Sequence, residues 1–241
     1  MKKILAIVTA ISCFNAAFAQ ADKNDLSVAV DFKTLAAANT LGNQQTTSAL
    51  QSYKSGGAAG SQFFTREWCE GSVTTATHET INNYQLLYDK VNQDLYIRQK
   101  DSNLVIQADK SQVATFSLNI NGKQLLFVPA GKYGNQFDGS YFEALAQGAN
   151  YSLFKLTKTH FERADYSDML KVRNGEANDA FIDNITYYLY HNNTLEKITV
   201  KEKAVRKALP AETQKIDAFL SAHKSDEFNE ELLANLVTAL N

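Results

Sequence analysis

Cysteine, proline, methionine and tryptophan are scarce in this chain: two, two, two and one among 241 residues. One cysteine, Cys13, sits in an apolar N-terminal run, so the body of the chain holds only Cys69. A single thiol forms no internal disulfide, and a chain of this length buries enough surface to hold a core without one. The four histidines (His78, His160, His191, His223) stand singly, with no cysteine at zinc-ligand spacing, which argues against a metal site. An excess of one charge is also missing: 24 basic against 26 acidic residues leave no electrostatic footprint for nucleic acid. The apolar run at residues 4–11 is shorter than the roughly 20 residues a membrane-spanning helix needs.

What is there begins with that run. Lys2 and Lys3 precede it, and Ala17-Phe18-Ala19 follows as a small-x-small cleavage site, so residues 1–19 read as a signal peptide. The chain is therefore expected to be exported, to the periplasm or the cell surface, with no transmembrane helix once processed. A rival reading takes Ala10-Ile11-Ser12-Cys13 as a lipobox with Cys13 lipidated, but Ala stands where that motif carries Leu. Losing Lys2 and Lys3 leaves 22 basic against 26 acidic residues, a net of −4 that favours solubility.

Residues 20–60 are rich in Ala, Thr, Ser, Gln, Asn and Gly, and read as a flexible low-complexity lead. A short helix over 31–41, closed by Gly42, is expected within it, then a mobile linker over 43–60. Gly56-Gly57-Ala58-Ala59-Gly60 lacks the Lys-Ser/Thr of a phosphate-cradling loop and is followed by Ser61-Gln62-Phe63-Phe64.

Residues 61–241 read as a single α+β domain. Over 61–200 short apolar runs alternate with turn residues, and the spacing predicts an antiparallel sheet of about eight or nine strands. The sharpest local signal is Asn121-Gly122 between the alternating run Ala114-Phe116-Leu118-Ile120 and residues 125–128, a type I′ hairpin. Residues 89–94 read as a solvated hairpin loop, 160–176 as a long irregular loop, and His191-Asn192-Asn193-Thr194 as the last hairpin. Three helices are expected over 201–241: one over 201–208, one opened by Pro210, and one capped by Ser225. The last carries Phe228, Leu232, Leu236 and Leu240 as an amphipathic stripe, which packs on the sheet or forms a homo-oligomer interface.

Gly60-Ser61, Phe63-Phe64, Trp68, Gly71, Leu87-Tyr88-Asp89, Phe142-Glu143-Ala144-Leu145, Tyr187-Tyr188-Leu189-Tyr190 and Leu195-Glu196-Lys197-Ile198 follow one another along the chain. With the lysine-rich run to Leu209-Pro210, that order resembles a family of uncharacterised exported proteins of Bacteroides-related bacteria, over about residues 60–241. The resemblance implies compartment and domain extent; it implies no activity, cofactor or catalytic residue.

Reactive constellations are weak. His78-Glu79-Thr80-Ile81-Asn82 has Asn where a zinc-protease helix needs its second His. There is no Gly-x-Ser-x-Gly elbow and no Ser-x-x-Lys pair. Cys69, which His78 or His160 would have to activate, has Glu67 and Glu70 beside it, and reads as a structural cysteine near Trp68. Glu70, Glu79, Glu143 and Asp183 are candidate carboxylates for sugar hydrolysis, with nothing local to promote one pair. Tyr88, Tyr96, Tyr188 and Tyr190 could form a glycan-stacking face or ordinary cross-strand pairs. No catalytic residue, metal or cofactor is assigned. The expected function is a non-enzymatic binding or interaction module of the cell envelope, with a protein, glycan or lipid as partner. The alternatives are a hydrolase acting on surface polymers and a lipid-binding periplasmic carrier.

Overall fold

The computed structural model describes residues 42–46, 58–100, 104–174 and 177–241, all within one compact unit, Asp31–Asn241. The expected signal peptide, Cys13 and the helix over 31–41 lie outside the described residues.

The first strands are β1 (Gly42–Thr46), β2 (Cys69–Thr75), β3 (Thr80–Asp89), β4 (Asp94–Arg98), β5 (Leu104–Ala108) and β6 (Val113–Ile120). They are followed by β7 (Lys123–Pro129), β8 (Tyr141–Gln147), β9 (Tyr151–Glu162), β10 (Ala180–His191) and β11 (Thr194–Ile198). Helix α1 (Met169–Arg173) interrupts the β9–β10 connection, and α2 (Glu202–Ala208), α3 (Thr213–Ala222) and α4 (Glu230–Ala239) close the chain. The fold is α+β, and all pairing between the strands is antiparallel, in the order β1-β5-β4-β3-β2-β6-β7-β8-β9-β10-β11.

Among the described residues the sheet has eleven strands, ten of them within 61–200, where about eight or nine are expected. One of the additional strands comes from the segment expected as a linker: Gly42–Thr46 pairs with β5, from Gly42↔Ala108 to Thr46↔Leu104. An edge strand needs partners on one side only, so a polar stretch without periodicity can supply it. Asn121-Gly122 forms the expected tight turn, with φ of 52° and 77° and Ile120 paired to Lys123. Asn192-Asn193 does the same, with φ of 47° and 56° between His191 and Thr194. The loop expected over 160–176 is shorter than that, because β9 runs on to Glu162 opposite Ala180.

The sheet curls on itself. Four strands separate β3 from β9 in the sheet, yet Thr159 N–H donates to the Lys90 carbonyl at 3.1 Å and Gln93 Nε2 to the Thr157 carbonyl at 3.1 Å. Rings fill the inner face: Phe116 and Phe127, opposite each other in register, stack at 4.6 Å, and Tyr88 and Tyr141 pack edge-on or tilted around them. On the outer face, Phe63 and Trp68 cover Leu87, Tyr96 and Val105, and Tyr133 and Phe137 cover Phe142 and Phe154.

Helices α2–α4 cover the inner face of β8–β11, where Leu153, Leu189 and Ile198 meet Val205, Ile216, Leu233, Leu236 and Val237. Each such fully buried aliphatic side chain contributes about 1.5–3 kcal/mol. The stripe of the last helix, including Leu232 and Leu240, is buried within this domain. Its cap is Asn229, whose side chain accepts the Leu232 N–H at 2.9 Å, and not Ser225, whose hydroxyl donates to Asp226. Asn229 stands three residues before Leu232, which is the spacing a side-chain cap requires.

Candidate functional site

The hairpin turns β8–β9 and β10–β11 lie side by side, because Tyr151 is the register partner of His191. The β8–β9 turn supplies Asn150 and Tyr151, and the β10–β11 turn supplies Asn192 and Asn193. Glu212 and Lys215, from the corner that opens α3, close the third side of a cleft of about 380 Å³. Tyr190, Ala149 and Leu240 complete the lining.

Each wall is held from behind. The Asn241 side chain accepts the N–H groups of Asn150 and Tyr151 at 2.9 Å each, and donates to the carbonyls of Tyr151 and Val237. This ties the β8–β9 turn to the end of α4. The Tyr151 hydroxyl donates to Glu212 Oε1 at 2.9 Å, and Lys215 Nζ lies 2.9 Å from Glu212 Oε2. Lys215 and the Tyr151 hydroxyl hold the Glu212 carboxyl below the usual carboxylate range, so it is ionised at neutral pH. The Tyr190 hydroxyl donates to Asn193 Oδ1 at 3.1 Å, and its ring packs edge-on against Tyr133 at 5.0 Å. The cleft therefore carries amides, phenols and one neutralised ion pair on a fixed frame.

The carboxylates singled out for hydrolysis do not share a site. Glu143, 5% exposed, lies opposite Lys155 in register with Oε2 3.0 Å from Nζ. Lys155 also holds Glu230 of α4 at 3.0 Å, and the Tyr187 hydroxyl donates to the same Glu230 at 2.7 Å. Burial lifts the Glu143 carboxyl above its usual range despite Lys155, whereas two carboxylates raise the Lys155 ammonium against its own burial. The directions agree with the geometry: Lys155 has two anionic partners, whereas the more deeply buried Glu143 has a single cationic one. This cluster docks the start of α4 on the sheet. Asp183 accepts Lys90 Nζ at 2.7 and 2.8 Å and the Thr159 hydroxyl at 2.5 Å, which pins the β3–β4 turn to the β9–β10 ribbon. Glu70 and Glu79 are exposed, on β2 and in the turn before β3.

The other candidates disperse as well. His78 occupies a turn with φ of 65°, His160 contacts Asn184, His191 lies 3.7 Å from Glu196, and His223 stacks on Phe219. Among the described residues no three His, Cys, Asp or Glu side chains are placed to hold a metal ion. Cys69 donates to the Leu86 carbonyl at 3.7 Å and accepts from Thr65 at 3.9 Å, and burial pushes its thiol pKa up. Trp68 is covered by the Arg98 guanidinium, 4.4 Å above its ring.

The four tyrosines do not form one stacking face. Tyr88 and Tyr96 are buried on opposite faces of the sheet, because Tyr88 pairs with Leu95 and Tyr96 with Leu87. Tyr188 packs between Phe137 and Phe142, and Tyr190 alone reaches the cleft. The 89–94 hairpin loop is exposed at Val91 and Asn92, but Asp89 is 0% exposed and accepts Val91 and Asn92 N–H, Asn92 Nδ2 and Gln62 Nε2. A carboxylate with four donors is well satisfied without water.

Sequence reasoning passed over the cleft because its residues are ordinary turn formers. Asn-Asn at a tight turn is demanded by backbone twist alone, and only the third wall from α3 makes these amides neighbours of an ion pair. No family model, no curated protein and no solved structure matches the chain.

Proposed function

We propose that this chain is an exported cell-envelope protein that acts as a non-enzymatic binding module through the cleft at the β8–β9 and β10–β11 turns. The observation that carries this reading is the convergence of three separate elements on an open, polar cleft of about 380 Å³ whose one carboxylate, Glu212, is already bonded to Lys215 and Tyr151. Sites for small ligands are concave and carry a few convergent polar groups. Among the carboxylates that would favour a polymer hydrolase, Glu143 and Asp183 are engaged in separate ion pairs. An acyl chain would need a hollow, and the inner face between β3 and β8 is filled by Tyr88, Phe116, Phe127 and Tyr141. Among the described residues no helix is long and apolar enough to cross a membrane. Export rests on residues 1–19, and the resemblance to exported proteins agrees with it.

The full chain, produced with its own N-terminus in a Gram-negative host, should be recovered from the envelope fraction with Gln20 as its first residue. Incubated with purified envelope polysaccharide, it should co-sediment with the polymer and release no new reducing ends. Release of reducing ends would overturn the non-enzymatic reading, and retention of an intact N-terminus in the cytoplasm would overturn export.

A further inference from the structure

We propose that the cleft binds a neutral saccharide, an inference that rests on the binding-module reading above and gives it a ligand class. Three properties of the lining select this chemistry. First, the groups offered are amides and phenols. A sugar hydroxyl both donates and accepts, and an amide side chain matches it by presenting a carbonyl and an NH₂ on one planar group. Among the described residues the Asn150 side chain has no protein partner, and Asn193 uses its Oδ1 for Tyr190 while its NH₂ stays free.

Second, the charges cancel. Glu212 and Lys215 pair at 2.9 Å, so the cleft attracts neither phosphate nor a polyanion by net charge. Third, apolar lining is sparse. Ala149 and Leu240 are the aliphatic contributors, too little for an acyl chain or an aromatic peptide anchor.

The frame is set before any ligand arrives. Asn192 and Asn193 are locked in the left-handed region by their turn, and Asn241 fixes the backbone on the opposite wall. Preorganisation of this kind reduces the ordering that binding requires.

The same left-handed backbone provides the test. Glycine takes positive φ without strain, so the double variant Asn192→Gly/Asn193→Gly keeps the turn and removes both amides. The full processed chain, labelled with ¹⁵N, is titrated with neutral gluco-, manno-, galacto- and xylo-oligosaccharides and with N-acetylglucosamine oligomers. Inorganic phosphate serves as the anionic comparison. At least one sugar series should shift the side-chain amide signals of Asn150, Asn192 and Asn193 saturably. The double variant should bind that sugar at least about tenfold more weakly, while its backbone amide signals outside the β10–β11 turn stay in place.

The proposal falls if none of these sugars moves those signals, or if phosphate moves them and sugars do not. It also falls if a sugar binds but the double variant binds equally well; in that case the binding-module reading survives and the assignment to this cleft does not. Shortened oligosaccharides in the titrated samples would sink the non-enzymatic reading instead, whatever maps to the cleft.

Discussion

Lys155 of β9 lies directly across the sheet from Glu143 of β8, with its ammonium 3.0 Å from the buried carboxylate and 3.0 Å from Glu230 of α4. One cation thus links two strands to the helix that covers them. Removing it strands Glu143 in a site that is 5% exposed. Lys155→Met should destabilise the domain by about 3–5 kcal/mol in urea unfolding, and Glu143→Leu/Lys155→Met should cost less than Lys155→Met alone. Equal losses in both variants would show that the charge pair is not the source.

The same pair sets a pH dependence. Burial raises the Glu143 carboxyl above its usual 4.5, so the folded chain holds this proton more firmly than the unfolded chain. Its contribution is complete below about 4.5 and is lost as pH rises through the folded-state value. Urea midpoints measured from about pH 4 to about pH 7 should fall more steeply for the native chain than for Glu143→Gln. Parallel curves would remove Glu143 as the titrating group.

Asn241 bonds the backbone of the β8–β9 turn on both sides of the Asn150–Tyr151 peptide. In Asn241→Ala, hydrogen exchange at the Asn150 and Tyr151 amides should accelerate, while exchange in the β3 core amides stays unchanged. Unaltered exchange at the turn would mean that the strands alone hold it.

Two glycines should respond to alanine for different reasons. At Gly71, where the β2–β3 register shifts, a Cβ would meet the Ser117 carbonyl oxygen at 2.2 Å and Leu86 Cδ1 at 2.6 Å. Neither atom lies on a free surface, so Gly71→Ala should cost about 1–3 kcal/mol or more. At Gly122 nothing lies within 4 Å, and only the φ of 77° opposes a side chain, so Gly122→Ala should cost about 1–2 kcal/mol. Thermal unfolding separates the two, with Gly71→Ala expected to melt lower.

Cys69 is half-buried between Thr65 and the Leu86 carbonyl, and its thiol pKa is raised chiefly by burial. Because the thiolate is the reactive form, Ellman's reagent at mildly alkaline pH should modify it more slowly than free cysteine. Urea should restore the free-thiol rate. A fast reaction in the native chain would contradict a structural role.

Residues whose partners are local were legible before any coordinates. Asn121-Gly122 specifies its own turn, and the Leu232–Leu236–Leu240 spacing specifies an amphipathic helix, because both depend on backbone geometry within a few residues. Asp89 was not legible. It reads as a loop carboxylate, and it becomes a buried acceptor only because Gln62, 27 residues away, and the curl of the sheet close over it. The cleft was hidden for the same reason: Asn150 and Glu212 stand 62 positions apart and meet through the docking of α3 and α4 on β8–β11.

Taken alone, the chain's order of residues decided the α+β class, the antiparallel pairing and the terminal helices, since period-two and period-3.6 apolar patterns each bury one face and admit one kind of element. It did not decide which polar groups would be spent and which left facing water. That was settled by the closure of the sheet and the seating of the helices, because Glu143, Asp183 and Asn193 differ in what long-range packing brings within hydrogen-bond reach, and no local pattern encodes that distance.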